Sequence, residues 1–155
     1  MIRHVLKALC GLAIFLAGCG TISGWINGNP PRTALRKVSV VVDVAANQGT
    51  ASMLDLVFVY DAAAVAQLPK TGPDWFRQKA VLQLALATSI DVVALQVPAG
   101  SPTFSVKLPE RAGKAIGVYA LANYLAEDGQ PIANLTPWRE VTIRLMPTTI
   151  IYSGI

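Results

Sequence analysis

A β-sandwich carrying one small helical insertion is the fold this chain predicts, and three features predict it. From Val38 onward the apolar residues come in short, mostly β-branched runs, enough for seven or eight strands. Turn-forming residues separate those runs at intervals typical of a two-layer β domain. Apolar residues at helical spacing occur in one stretch only, 61–90. A length of 155 residues gives that fold a single core.

The strands follow in order. VSVVVDV (38–44) is β-branched and nearly all apolar, and LDLVFVY (54–60) adds aromatic residues. VVALQV (92–97) and TFSVKL (103–108) flank a turn-rich connection, Pro98-Ala99-Gly100-Ser101-Pro102. In the second of these, Phe104, Val106 and Leu108 alternate with Ser105 and Lys107, the period of a half-buried strand. AIGVYALANYLA (115–126) reads as a long strand that runs into Glu127-Asp128-Gly129-Gln130, where Asp-Gly signals a hairpin turn. VTIRL (141–145) and TTIIY (148–152) complete the set. Between the second and third strands, Asp61 is placed to cap a short helix that Pro69 ends. Gly72-Pro73-Asp74 opens a second helix, with Asp74 as its cap and Phe76, Ala80, Leu84 and Ala87 on one face. That insertion is expected to cover a sheet edge or face, the alternative being a dedicated binding role.

The N-terminus has a different character. Hydrophobic residues form 53% of the chain and charged ones only 14%, against about a quarter in ordinary soluble proteins, and part of the skew lies here. Arg3, His4 and Lys7 precede an apolar stretch, Leu9 to Phe15, too short to span a hydrocarbon core as a helix. Leu16-Ala17-Gly18-Cys19 follows. Small residues fit a peptidase cleft, and a thiol directly after them can be alkylated with diacylglycerol. The tetrapeptide matches the bacterial lipobox, so cleavage is expected between Gly18 and Cys19 and lipidation on Cys19. The competing readings are an ordinary signal peptide with an incidental cysteine and a buried core helix. Removing 1–18 takes away Arg3 and Lys7, half of the formal charge of +4. Without a basic stripe or a recognition motif, nucleic-acid binding has no support.

Residues 19–36 then read as the lipidated cysteine and a flexible tether, rich in Gly, Asn and Pro. Such a tether reaches at most about 55 Å and averages roughly 20–25 Å as a coil. Trp25 and Ile26 suit either the lipid interface or the folded body, 37–155. Two or more acyl chains anchor a protein durably. Gly20 stands where an Asp would signal inner-membrane retention in enteric-type bacteria, which favours the periplasmic face of the outer membrane.

Chemistry is scarce beyond the leader. No Cys or His follows residue 19, which removes Cys/His zinc sites, a catalytic histidine, a thiol nucleophile and an internal disulfide. The carboxylates form no motif for acid–base catalysis, and phosphate-loop, dinucleotide, nucleophile-elbow and EF-hand signatures are lacking. No metal or cofactor is expected apart from the covalent lipid, and no enzymatic activity. Trp75, Phe76 and Trp138 read as core or edge aromatics.

The order of these features resembles the TssJ (VasD, SciN) family, outer-membrane lipoproteins of type VI secretion systems. The residues that carry the resemblance are Leu16 to Cys19, Asn47 in AANQGTAS, LVFVY (56–60), PDWFRQ (73–78) and Val97-Pro98-Ala99-Gly100 before TFSVKL. Gly117-Val118-Tyr119-Ala120 and Trp138-Arg139 extend it along nearly the whole chain. The resemblance implies a transthyretin-like sandwich. It also implies a role: anchoring a membrane complex, which includes a TssL-like protein, by binding the periplasmic C-terminal region of the inner-membrane protein TssM. In the family the loop between the first two strands makes part of that contact. Here it is Ala46, Asn47, Gln48, Gly49, Thr50, Ala51 and Ser52, short and uncharged, with the alternative that it is merely a hairpin connection. A competing function is a periplasm-facing lipoprotein that binds a small ligand, in a cavity lined by Phe58, Phe104 and Tyr119, or another envelope protein. An envelope enzyme is the third class, and it lacks candidate residues.

Overall fold

The computed structural model describes residues 30–155. The segments expected to be the signal peptide (1–18), the lipobox with Gly18 and Cys19, and the tether up to residue 29 lie outside the described residues. The remainder builds eight strands: β1 (Lys37–Val42), β2 (Ser52–Val59), β3 (Ile90–Val97), β4 (Phe104–Ser105), β5 (Gly117–Ala122), β6 (Ala133–Asn134), β7 (Glu140–Leu145) and β8 (Ile150–Gly154). They form two four-stranded sheets, ordered β4-β1-β7-β8 and β3-β2-β5-β6. The expected sandwich is observed, with helices between the second and third strands as predicted.

The sheets bury their facing sides against each other. Val38 and Val40 of β1 and Val141, Ile143 and Leu145 of β7 meet Leu54, Leu56 and Phe58 of β2 and Val118 and Ala120 of β5. Outer positions of the first sheet, such as Ser39, Thr142 and Arg144, alternate toward solvent, which explains the period of two in β7. β2 differs because both its faces are covered. Val57 and Val59 point outward from the sandwich into a second apolar cluster with Leu121, Trp75, Leu68 and Leu86. That double burial is why LDLVFVY is apolar almost without interruption.

The cover is a short helix, Ala62–Val65, and a long one, Gly72–Leu86. Asp61 caps the first by accepting from Ala63 N at 2.9 Å, as expected. The second is capped by Thr71, not Asp74. Asp74 occupies the first turn and accepts from Thr71 Oγ1 at 2.7 Å. Its buried face also differs from the predicted one. Trp75 and Leu86 face the sheet and Phe76, of the expected face, packs against the same cluster, whereas Ala80 and Ala87 are exposed and Leu84 is 83% exposed. Polar contacts set this rotation. Trp75 Nε1 donates to Asp55 Oδ2 at 2.7 Å, and Lys79 Nζ lies 2.7 Å from the same oxygen, with Asp55 buried on β2. Gly72 allows the close approach, since a Cβ there would sit 1.6 Å from the carbonyl oxygen of Ala122.

Two further differences concern the later chain. β5 ends at Ala122, and Asp128-Gly129 forms a turn of 3₁₀ helix, Glu127–Gly129, within a longer connection to β6. The 103–108 strand contracts to Phe104–Ser105.

Because a buried carboxylate stripped of one partner is costly, Lys79→Met should destabilise the protein by about 3 kcal/mol. Urea titration of both forms checks this, and a loss below about 1 kcal/mol would mean that water reaches Asp55 in place of the ammonium group.

Candidate functional site

Strand directions give the sandwich two distinct ends. β1 runs from Lys37 to Val42, about 20 Å, and β2 returns from Ser52 to Val59 in the opposite sheet. The connection between them therefore crosses from one sheet to the other and is not a hairpin, which corrects that alternative. At the same end lie the chain after Val97, the chain after Ala122 and the turn between β7 and β8. Gly100 N donates to Asp43 O at 3.0 Å, and Tyr124 Oη donates to Met146 O at 2.7 Å. We call this the loop pole. At the other end Thr33 N donates to Ala115 O at 2.8 Å, and Arg36 N donates to Arg139 O at 2.7 Å. The chain approaching from residue 30 joins the body there, at the tether pole.

The crossing loop is held in an uncommon conformation. Asn47 and Gln48 have φ of 49° and 57°, and Gly49 follows at 77°. Three consecutive left-handed residues make one tight turn. Asn tolerates that region and Gly suits it, but for Gln48 it costs about 1 kcal/mol. Neighbouring segments hold the turn in place. Asn47 N donates to Met146 O at 3.1 Å and Gln48 N donates to Pro147 O at 3.0 Å. Asn47 Oδ1 accepts from Leu125 N at 2.8 Å, and Asn47 O accepts from Thr50 Oγ1 at 2.7 Å. At the base, Asp43 Oδ1 accepts from Ala45 N at 2.8 Å.

The seven loop residues singled out in the sequence thus divide in two. Ala46 and Asn47 are buried and support the loop from within, and Ser52 is buried as the first residue of β2, while Gln48, Gly49, Thr50 and Ala51 are exposed at its tip. Sequence reasoning missed the residues beside that tip. Val44 is 82% and Leu125 60% exposed, so an apolar rim borders the polar backbone of the turn. Tyr124 was also missed. It packs against Gly129, and burial pushes its hydroxyl pKa above the ordinary value. The Asn-Gln-Gly run was the one available signal for left-handed backbone, because Asn and Gly both tolerate it.

The alternative cavity does not form. Phe58 lies in the inter-sheet core with Phe104 against its edge, whereas Tyr119 packs on the helical side of the second sheet. A shallow groove runs between β3 and the chain after β4, lined by Asp91 to Val93 and Lys107 to Arg111. Two of its four charged residues, Asp91 and Arg111, are engaged with each other. Arg111 gives Nε and Nη2 to Asp91 at 2.8 Å each, stacks 3.9 Å from the Tyr60 ring centre, and Tyr60 Oη donates to Asp91 at 2.7 Å. The guanidinium holds the Asp91 carboxyl below its usual value, and burial raises the Tyr60 hydroxyl. Among the described residues no three His, Cys, Asp or Glu side chains converge as metal ligands. No described helix is long and apolar enough to cross a membrane.

No protein-family model and no curated protein matches the chain. Solved structures do. The type VI secretion lipoprotein TssJ1 from Pseudomonas aeruginosa superposes with a TM-score of 0.53 at 15% identity, over 81% of this chain and 98% of that one. Lip from Serratia marcescens, a membrane-bound component of the type VI secretion system, gives 0.52 at 13% identity, over 82% and 99%. The chain has the TssJ fold. At this level of identity side chains have diverged almost throughout, and what the TssJ-like body shares with these proteins is architecture: two sheets, with helices over the second.

The loop's geometry gives opposite signs for two substitutions. Asn47→Ala removes the acceptor for Leu125 N and forces alanine into left-handed backbone, so it should cost about 2 kcal/mol. Gln48→Gly relieves strain at an exposed position and should stabilise by up to about 1 kcal/mol. Urea midpoints of the two variants, moving in opposite directions, check both.

Proposed function

We propose that this chain is a non-catalytic lipoprotein, acylated on Cys19 and held at the periplasmic face of the outer membrane. On this reading it ties a type VI secretion membrane complex to that membrane by binding the periplasmic C-terminal region of a TssM-like inner-membrane protein, in a complex with a TssL-like protein. The observation that carries the reading is the opposition of the two poles. The chain that leads back to Cys19 joins one end of the sandwich, and the strained tip Gln48–Ala51 with its apolar rim projects from the other. An anchor needs such an arrangement, because the surface meant for a partner must face away from the bilayer.

Three further points support it. Two proteins that share the fold are named for type VI secretion, one a lipoprotein and one membrane-bound. The lipobox stands directly ahead of the tether. In the groove that would serve an enzyme or a small ligand, Asp91 is taken up by Arg111 and Tyr60. The tip itself offers few charges, so affinity would come from backbone hydrogen bonds and from burial of Val44 and Leu125, not from electrostatic steering.

A crosslinked pull-down of the tagged lipoprotein from detergent-solubilised envelopes, read by mass spectrometry, tests the reading. Recovery of a TssM-like inner-membrane protein is expected, with a loss of tenfold or more (about 1.4 kcal/mol) when Gln48–Ala51 is replaced by Gly-Ser-Gly-Ser. Cys19→Ala should remove the mass of the lipid and release the protein from outer-membrane fractions. A lipidated protein that brings down no such partner would overturn the assignment.

A further inference from the structure

The described residues carry Lys and Arg in slight excess over Asp and Glu, and that excess is not spread evenly. Arg32, Arg36, Lys37, Lys107, Lys114 and Arg139 are all exposed and all lie at the tether pole. Three observations bring them together. Arg36 N donates to Arg139 O. The Arg36 guanidinium lies 3.8 Å from where a Cβ of Gly113 would be, beside Lys114. Val106 N donates to Val38 O at 2.8 Å, which sets Lys107 beside Lys37. The acidic residues near this end are Asp61, Glu110 and Glu140, with Glu140 4.0 Å from Lys37. Arg111 and Asp91 neutralise one another. Over the rest of the body the carboxylates Asp43, Asp55, Asp74, Glu127 and Asp128 slightly outnumber the cations. The whole positive excess therefore sits where the chain enters the fold.

We propose that this basic pole docks on anionic phospholipid headgroups of the bilayer that holds the anchor, standing the sandwich upright with the Gln48–Ala51 tip facing away. The inference rests on the reading of Cys19 as the lipidated residue. Its physical basis is range. Ten residues separate Cys19 from Pro30, a length of chain that reaches at most about 35 Å, so the pole can be brought to the bilayer, where charges act over ~8 Å at physiological salt. A body joined by a tether alone would tumble, and its tip would face the bilayer as often as the periplasm. Juxtamembrane Lys and Arg residues are drawn to anionic lipid, and six on one end bias the orientation toward that end. Orientation by charge leaves the other pole free for a protein partner.

The test uses the lipidated full chain, labelled at Glu127→Cys on the loop pole. It is incorporated into vesicles of phosphatidylethanolamine and phosphatidylcholine, with or without about 30% phosphatidylglycerol, carrying a headgroup-linked energy-transfer acceptor. With phosphatidylglycerol at about 50 mM salt, transfer from the loop pole should be about twofold lower than on neutral vesicles, and about 500 mM salt should abolish the difference. The exposed changes Arg32→Gln, Lys107→Gln, Lys114→Gln and Arg139→Gln, made together, should remove the response while leaving the urea midpoint unchanged. Flotation with vesicles at high salt separates the two ideas. A chain that does not float overturns the anchor reading and this inference with it. A chain that floats but gives the same transfer on both vesicle types, or responds equally after the four substitutions, overturns this inference alone.

Discussion

A carboxylate in the middle of a buried strand must be compensated, and at Asp55 the compensation comes from a single helix. Trp75 supplies a hydrogen bond and Lys79 a charge to the same oxygen, one turn apart along Gly72–Leu86. Those two contacts fix both the rotation of the helix and its height over the second sheet. With the rotation fixed, Leu86 reaches the cluster around Val57 and Val59, and the far face of the helix, Val81 and Leu84 included, is left to solvent. The second sheet is then covered on its outer side around Val57 and Val59, so β2 can be apolar on both faces there. Burial of a charged pair contributes little net stability, but it discriminates strongly against a rotated helix, because any other rotation would leave Asp55 unpaired.

The loop pole follows from the same architecture by another route. β1 and β2 belong to different sheets, so the chain between them has to cross the end of the sandwich in nine residues. It does so by turning left-handed at Asn47, Gln48 and Gly49, with the turn held by carbonyls of the β7–β8 connection and by Leu125 N. A segment held by two other loops presents a fixed shape to a partner and loses little conformational freedom on binding. Strain at Gln48 persists because the surrounding bonds over-determine it.

Much of this was legible in the sequence, and the exceptions have physical causes. Strands with β-branched runs were found close to their observed limits, since pattern and burial agree there. β6 was not foreseen: two residues, Ala133–Asn134, carry no periodicity to read. The helix was placed correctly, but of its expected face only Phe76 is packed inward, because apolar spacing alone also favoured Ala80, Leu84 and Ala87. The deciding interaction is polar and joins positions 20 residues and more apart in the chain. Asp128-Gly129 suggested a hairpin, but Gly129 instead accommodates the Tyr124 ring, a tertiary demand that local turn preferences do not contain. At the candidate site the loop's position was legible. Its division into buried supports and an exposed tip was not, because Asn47 gains its partners only when three distant segments converge.

The pairing of β1 carries a mechanical consequence. One end of this strand continues toward residue 30 and the other into the crossing loop, and along its length it bonds β7 in parallel and β4 antiparallel. A pull exerted between the two poles runs along the strand axis, at right angles to most of those hydrogen bonds. The bonds on both sides then take the load together and yield in shear, instead of parting one by one as in a peeled hairpin. Tension applied between the two poles would thus meet the sandwich in its most resistant direction.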